Sequence, residues 1–267
     1  MREAQDNSVV QVALERDVLT GVYEGGFKVW ECAIDLIQYL VLNGDHQRWT
    51  NSTVVEAGCG VGLPAIHALR QGAARVYFQD LNREVLCKST QPAVALNARS
   101  ELELASWCAQ PVDSVSVKEG CSPPPVGAPV AQFVAGDWDA WDACKLDPHG
   151  VDVILSTDTL YAKPQIIKLT HLLHRLLKRE PASAMGGTGV LVSPCAYIAA
   201  KRYYFGTDGG TFTFEQVLKA MPPVVVEVGA GGSGGSRTLV LTSRTVHSIQ
   251  DNASNIRDIL CVTWTKQ

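Results

Sequence analysis

The sequence predicts an α/β fold: a doubly wound, mostly parallel seven-stranded sheet with an antiparallel edge strand. Three observations carry that expectation. Short β-prone runs alternate with helical patterns from residue 54 onward, the order that builds parallel sheets from crossover units. Val151-Asp152-Val153-Ile154-Leu155 is almost continuously apolar, as a strand must be when helices cover both faces of its sheet. Finally, Val54-Val55-Glu56-Ala57 runs straight into Gly58-Cys59-Gly60-Val61-Gly62, and a helical pattern from Leu63 to Arg70 follows at once. Glycines at such a junction let a ligand approach the backbone closely, and the new helix offers unpaired N–H groups there.

Taken in order, residues 1–22 form a lead-in with one amphipathic patch, Val9 to Leu14, and residues 23–267 form one domain. A helix is expected from Cys32 to Leu42, with Ile34, Ile37 and Val41 on one face. A second strand, Arg75 to Asp80, leads to a helix from Arg83 to Arg99 interrupted by Pro92. Residues 106–130 lose all periodicity and contain three consecutive prolines, so they are expected to be a surface insertion. Strands follow at Ala131–Ala135 and Val151–Leu155. Pro164 then opens a helix through Arg179, with Ile166, Ile167, Leu169, Leu172, Leu173 and Leu176 facing inward. A Gly186-Gly187 turn precedes a fifth strand from Gly189 to Ser193, and a short helix is expected from Phe214 to Ala220. A second insertion covers 222–236 and includes a Gly-Ser run. Thr238–Val246 and Asp258–Thr265 close the chain as strands, the second suited to an antiparallel partner.

Composition narrows the function classes. The 267 residues are 46% hydrophobic and 19% charged with a net charge of −4, an ordinary globular balance that pulls the molecule toward neither nucleic acid nor an anionic membrane. No apolar run reaches bilayer-spanning length, so a soluble intracellular protein is expected. Cysteines scattered in apolar runs suit reduced thiols in the cytoplasm and nucleus, and a monomer is expected. The 8 cysteines include no C-x-x-C pair, and no metal site is expected.

The site candidates stand where strands end. The glycine spacing is G-x-G-x-G after an acid, not the G-x-G-x-x-G of dinucleotide folds. Glu56 suits a donor such as an ammonium group better than a pyrophosphate; the plain alternative for the glycines is a tight turn with no ligand. Asp80 lies about twenty residues on, where an acid at the second strand tip binds both hydroxyls of a ribose; its plain alternative is an acid capping the next helix. Gly136-Asp137-Trp138 follows the third strand, placing an acid for an exocyclic amine and an indole for a ring face, or simply a turn with a packed indole. Ser156-Thr157-Asp158-Thr159-Leu160-Tyr161 puts an acid and a phenol at the edge where open α/β sheets bind ligands. Two glycine-hinged segments follow the same logic. Gly25-Gly26 with Val29, Trp30 and Glu31 either covers a ligand or supplies a hydrophobic plug and a first-turn acid. Tyr203-Tyr204-Phe205 before Gly206 either packs locally or rims the Asp158 edge.

Together, Gly26 to Cys32, Glu56 to Gly62, Phe78-Gln79-Asp80-Leu81-Asn82, Gly136 to Trp138 and Tyr204-Phe205-Gly206 closely resemble the protein-histidine N-methyltransferases. These are seven-β-strand, Rossmann-like class I enzymes within a methyltransferase-like group that also holds protein-lysine enzymes. The resemblance implies S-adenosyl-L-methionine as cofactor and a large-subunit ribosomal protein as partner, methylated on a histidine ring nitrogen, by family analogy the tele one. It implies that Val29, Trp30 and Glu31 close over the cofactor, that Gly58 and Gly60 approach it, and that Gln79, Asp80 and Asn82 hold its ribose. It further implies that Gly136, Asp137 and Trp138 surround the adenine and that Ser156 and Thr157 also bind the cofactor. Asp158 and Tyr161 are the implied catalytic pair, with Tyr203, Tyr204 and Phe205 meeting the substrate.

The chemistry asks mainly for positioning. A histidine with a pKa near 6.5 is mostly neutral at pH 7, so the expectation is that Asp158 accepts one ring N–H and leaves the other nitrogen aimed at the methyl group. Tyr161 and an aromatic of 203–205 are expected to bracket the ring. A lysine acceptor is the main rival, because the same Asp-x-x-Tyr can hold an ammonium. Methylation of a nucleic-acid amino group is disfavoured because Asp158 to Tyr161 lacks paired prolines. A cofactor-binding module without catalysis is the reading from another class.

Overall fold

A computed structural model describes residues 2–43, 48–100, 107, 129–140, 146, 148–179, 193–228, 235–251 and 255–267. Among these, the sheet has eight strands: β1 Thr53–Ala57, β2 Arg75–Asp80, β3 Val130–Ala135, β4 Val153–Thr157, β5 Cys195–Lys201, β6 Val224–Val228, β7 Gly235–Ile249 and β8 Arg257–Lys266. Their order is β3-β2-β1-β4-β5-β8-β7-β6. The first five are mutually parallel, and β8, β7 and β6 pair antiparallel beyond β5. The order reverses between β1 and β4, so the carboxyl ends of both flank a switch point where such sheets bind ligands.

Helices cover both faces. α1 spans Arg2–Glu15, α2 Glu31–Asn43 and α3 Leu63–Arg70. α4, Arg83–Val85, passes through a π-helical turn, Leu86–Thr90, into α5, Gln91–Asn97. α6 is Lys163–Leu176 and α7 is Thr211–Lys219. On one face Leu36 and Leu40 of α2 and Leu69 of α3 pack with Val54, Val76 and a stacked Phe78–Phe133 pair, whose ring centroids are 5.3 Å apart. On the other face Ile166, Leu169 and Leu173 of α6 and Phe214 of α7 cover Val55, Ile154 and Ile198. Burying one such side chain stabilises by roughly 1.5–3 kcal/mol, so the two layers fix the strand ends that build the site. Both α3 and α6 open with a proline in the first turn, where its missing N–H costs no helical bond.

Several expectations are corrected. The sheet has eight strands, not seven, because Val224–Val228, placed in an insertion, forms a hairpin with Gly235–Leu239. Its run of valines favours the pleat over an irregular loop. The Gly-Ser residues 229–234 lie outside the described residues, as do 189–192 of the expected fifth strand and almost all of 106–130. The strand that fills the fifth place is Cys195–Lys201, just after Pro194. The lead-in contains a helix, α1. The face of α2 carrying Ile34 and Val41 is the outer one, at 42% and 55% exposure; Cys32, Ala33, Leu36 and Leu40 are buried instead. Ile167 of α6 is also exposed.

Candidate active site at the carboxyl ends of the strands

A cavity of about 520 Å³ opens along the carboxyl ends of β1 to β5. The glycine turn after β1 forms its floor. Gly58 and Gly60 adopt φ of 66° and 50°, the left-handed region that side chains avoid. A Cβ at Gly58 would come within 2.8 Å of Thr159 Cγ2, and one at Gly60 within 3.0 Å of the Gly26 carbonyl oxygen. Close approach is therefore built in from both sides.

Asp80 at the tip of β2 lines the cavity. Its Oδ2 accepts the Gly60 N–H at 3.0 Å and its Oδ1 the Asn82 N–H at 3.1 Å. Burial pushes its pKa up to about 6, against the pull of those two N–H groups. Gln79 beside it acts as a brace. Its Oε1 accepts the Gly58 N–H at 3.0 Å and the Trp138 indole N–H at 2.6 Å, while its Nε2 donates to the Gly136 carbonyl at 2.7 Å. One side chain thus ties the tips of β1, β2 and β3, and Trp138 and Gly136 reach the cavity wall through it. Asp137 lines the same wall but turns to Lys168 of α6 at 2.6 Å. Although burial opposes it, the Asp139 N–H and Lys168 hold the Asp137 carboxyl below its usual range.

Four residues expected at the wall do not line it. Glu56 is fully buried: its Oε2 accepts the Ala65 N–H of α3 at 2.9 Å, and its Oε1 has no hydrogen-bond partner among the described residues. Burial pushes its pKa up to about 8, so the carboxyl is largely protonated at neutral pH. Asn82 donates to the Val22 carbonyl at 2.7 Å, pinning the segment before α2. Ser156 is buried and donates to the Ala57 carbonyl at 2.9 Å. Glu31 heads α2 and pairs with Lys201 at 3.3 Å. Val29 and Trp30 do line the cavity, as does Thr157; the Trp30 indole is held by the Gly25 carbonyl at 3.0 Å, with Lys28 Nζ 5.0 Å from its ring centroid.

Asp158, at the end of β4, joins three elements. Its φ of 54° is left-handed, a strain that persists only when the surroundings over-determine it. They do: its N–H donates to the Ala199 carbonyl of β5 at 2.9 Å. Its Oδ1 accepts the Tyr204 hydroxyl at 2.9 Å and its Oδ2 the Cys32 N–H of α2 at 3.1 Å. Burial raises its pKa, and the Tyr204 and Cys32 hydrogen bonds oppose that rise. Tyr161 is drawn elsewhere. Its hydroxyl donates to Glu24 Oε2 at 2.5 Å, and burial followed by Glu24 raises its pKa. Tyr203 and Phe205 stand at the cavity rim, 57% and 92% exposed. The two hydroxyls thus have different partners, Tyr204 bonding Asp158 and Tyr161 bonding Glu24, while both rings line the cavity.

Glu24 and Lys168 line the cavity and were not among the sequence candidates. For Glu24 the signal was present, an acid directly before the Gly25-Gly26 hinge. Lys168 gave none, since one lysine on an amphipathic helix reads as surface. Among the described residues no cluster of His, Cys, Asp or Glu is arranged to hold a metal ion, and no helix is long and apolar enough to cross a membrane.

Strand order, the reversed edge and a cavity floored by glycines define the fold of the class I S-adenosylmethionine methyltransferases. Magnesium protoporphyrin IX methyltransferase from Synechocystis PCC 6803, solved with bound S-adenosylhomocysteine, superposes with a TM-score of 0.50 at 14% identity, covering 98% of this chain and 97% of that one. By sequence the chain is a relative of the proteins named histidine protein methyltransferase 1 homolog. It is 32% identical to the Dictyostelium discoideum protein over 92% of this chain, and 30% identical to the Bos taurus protein over 76% of it. The resemblance drawn from the motifs is borne out. The chain spans 60% and 50% of the lengths of those two relatives. No family model matches it.

Proposed function

We propose that this chain is an S-adenosylmethionine-dependent protein methyltransferase that modifies a histidine ring nitrogen, the tele one, of a large-subunit ribosomal protein. The observation that carries the reading is the juxtaposition, in one cavity, of the glycine turn with Asp80 and the Asp158–Tyr204 pair. The names of the relatives supply the acceptor chemistry. The same reading takes cytoplasm and nucleus as compartments and a monomer as the working unit.

The residues fit the cofactor. The cavity volume falls within the roughly 300–1,000 Å³ common to small-molecule sites. The Gly58 and Gly60 turn lines the cavity, Asp80 retains acceptor capacity on both oxygens for a ribose, and the Trp138 indole offers a face to a base. When bound, the cofactor supplies an electrophilic methyl group on a sulfonium. The chain's task is to hold the acceptor in line with it, a contribution of up to about 7–11 kcal/mol in favourable cases. Each Asp158 oxygen keeps a lone pair beyond its one bond, enough to take an imidazole N–H and so fix the tautomer that presents the other nitrogen. Tyr204 holds that carboxylate in place. The ring N–H proton is released after transfer, and with a neutral imidazole no strong base is needed.

The test is incubation of the protein with labelled S-adenosylmethionine and a ribosomal extract, followed by mass spectrometry of the labelled product. Methyl-histidine in a large-subunit protein is the expected result. Methyl-lysine alone, or no protein label, overturns the reading.

A further inference from the structure

The acceptor side of the cavity is bounded by an irregular stretch, residues 202–210, whose two ends are bound by one distant carboxylate. Asp258 of β8 is 3% exposed. It accepts Arg202 Nε at 2.9 Å and Nη2 at 2.7 Å, a two-pronged bond at the start of the stretch. It also accepts the Thr211 hydroxyl at 3.2 Å, where α7 begins, and the Ser248 hydroxyl of β7 at 2.7 Å. The Arg202 N–H adds a bond to the Ile256 carbonyl at 2.7 Å. Between these anchors stands Tyr204, hydrogen-bonded to Asp158. Asp258 itself does not line the cavity.

The reversed strand explains why a charge is found here. β8 runs against β5, so its first residues, not its last, lie at the ligand edge: Asp258 faces Ala200, and Arg257 faces Lys201. Successive strand residues point to opposite sides. Arg257 accordingly pairs with Asp35 of α2 at 2.5 Å, while Asp258 turns to the 202–211 stretch. Neighbouring residues thus hold the two walls that meet at Asp158, one through α2 and the other through Tyr204.

We infer that Asp258 is a positioning residue for the methyl acceptor: by binding both ends of 202–211 it sets where Tyr204 meets Asp158, without touching either ligand. The inference rests on the acceptor role proposed for Asp158. The cofactor wall is built from β1 to β3 and does not pass through Asp258, so the two halves should respond differently to its loss.

The test uses Asp258→Asn and, because a buried substitution risks the fold, Arg202→Gln, which removes the same bond from a side chain 36% exposed. Three quantities are measured: amide exchange across 203–210, calorimetric affinity for S-adenosylhomocysteine, and the amount of ribosomal extract giving half-maximal methyl transfer. Exchange in 203–210 is expected to rise about tenfold while β1 to β4 stay protected. Affinity for S-adenosylhomocysteine should stay within about twofold, and the extract requirement should rise about fivefold or more. Arg202→Lys, which keeps the charge but not the fork, should restore part of both effects. Unchanged exchange in both variants overturns the inference, as does an affinity for S-adenosylhomocysteine that falls as far as acceptor use. If the parent protein transfers no methyl to the extract, the methyltransferase reading falls by itself, and exchange decides whether Asp258 holds the loop.

Discussion

The two ends of the cavity are built by different means. At the end made from β1, β2 and β3, the backbone does most of the work: Gly58, Gly60 and Asn82 supply N–H groups, and Gln79 and Asp80 receive them. At the end made from β4, β5 and β8, side chains meet side chains across long stretches of sequence, Tyr204 on Asp158, Arg202 on Asp258 and Tyr161 on Glu24. The first arrangement presents a fixed surface to a ligand of one shape. The second joins segments far apart in sequence, and in the proposed reading it is the end that receives the methyl acceptor.

The sharpest way to break that comparison is at Asp158. Replacing it with Ala removes the acceptor of both the Tyr204 hydroxyl and the Cys32 N–H, and methyl transfer is expected to fall about 100-fold in kcat/KM, ~2.7 kcal/mol. Cofactor affinity should change by no more than about threefold, because Asp80 and the glycine turn are untouched. Asp158→Asn separates chemistry from strain. Asparagine tolerates the left-handed backbone better than alanine, so its melting temperature should stay above that of the alanine variant while its turnover still falls. Calorimetry and initial rates on the same preparations decide the matter, and a parallel loss of cofactor binding would remove the distinction between the ends.

The same contrast explains what was legible in the sequence. The glycine turn, the strand it follows and the acid at the tip of β2 lie within 25 residues or so of one another and obey local rules. They were found. Gln79 was found as well, but as a ribose ligand; its part as a brace depends on Trp138, 59 positions away. The Asp158–Cys32 bond spans 126 positions and the Tyr161–Glu24 bond 137, distances over which periodicity carries no signal. Similarly, α2 offered two apolar stripes, and only its packing on β5 decided that Leu36 and Leu40 faced inward rather than Ile34 and Val41. Val224–Val228 was hidden by the Gly-Ser run beside it, since a hairpin strand is stabilised by its partner more than by its own composition.

A second expectation concerns the protein beneath the cofactor end. Glu56 has its pKa raised from 4.5 to about 8 by burial. An acid whose folded pKa lies above its unfolded value loses stability as pH rises between the two, since the unfolded chain ionises more readily. Stability should therefore decline from about pH 5 to pH 8, and Glu56→Gln should abolish that part of the decline. Near pH 5 the variant and its parent should unfold similarly; by pH 8 the variant should be more stable by on the order of 4 kcal/mol. Urea unfolding at the two pH values is the measurement. A variant uniformly less stable would mean that the buried carboxyl is ionised and held by a partner.

The smallest effect is expected at the seam, where Tyr161 of the β4 end meets Glu24 of the segment that lies over the glycine turn. Because Gly26, two residues on, packs against both Gly60 and Asp80, loosening Glu24 should be felt at both ends of the cavity. Tyr161→Phe and Glu24→Gln are each expected to lower turnover about fivefold, and the double variant little further, giving a coupling of ~1 kcal/mol. The signature is in the constants: the Michaelis constants for cofactor and acceptor should rise together, unlike the one-sided response at Asp158. If the two substitutions add independently, the hydrogen bond between them carries no function and the cover segment is held by Asn82 and its carbonyl partner instead.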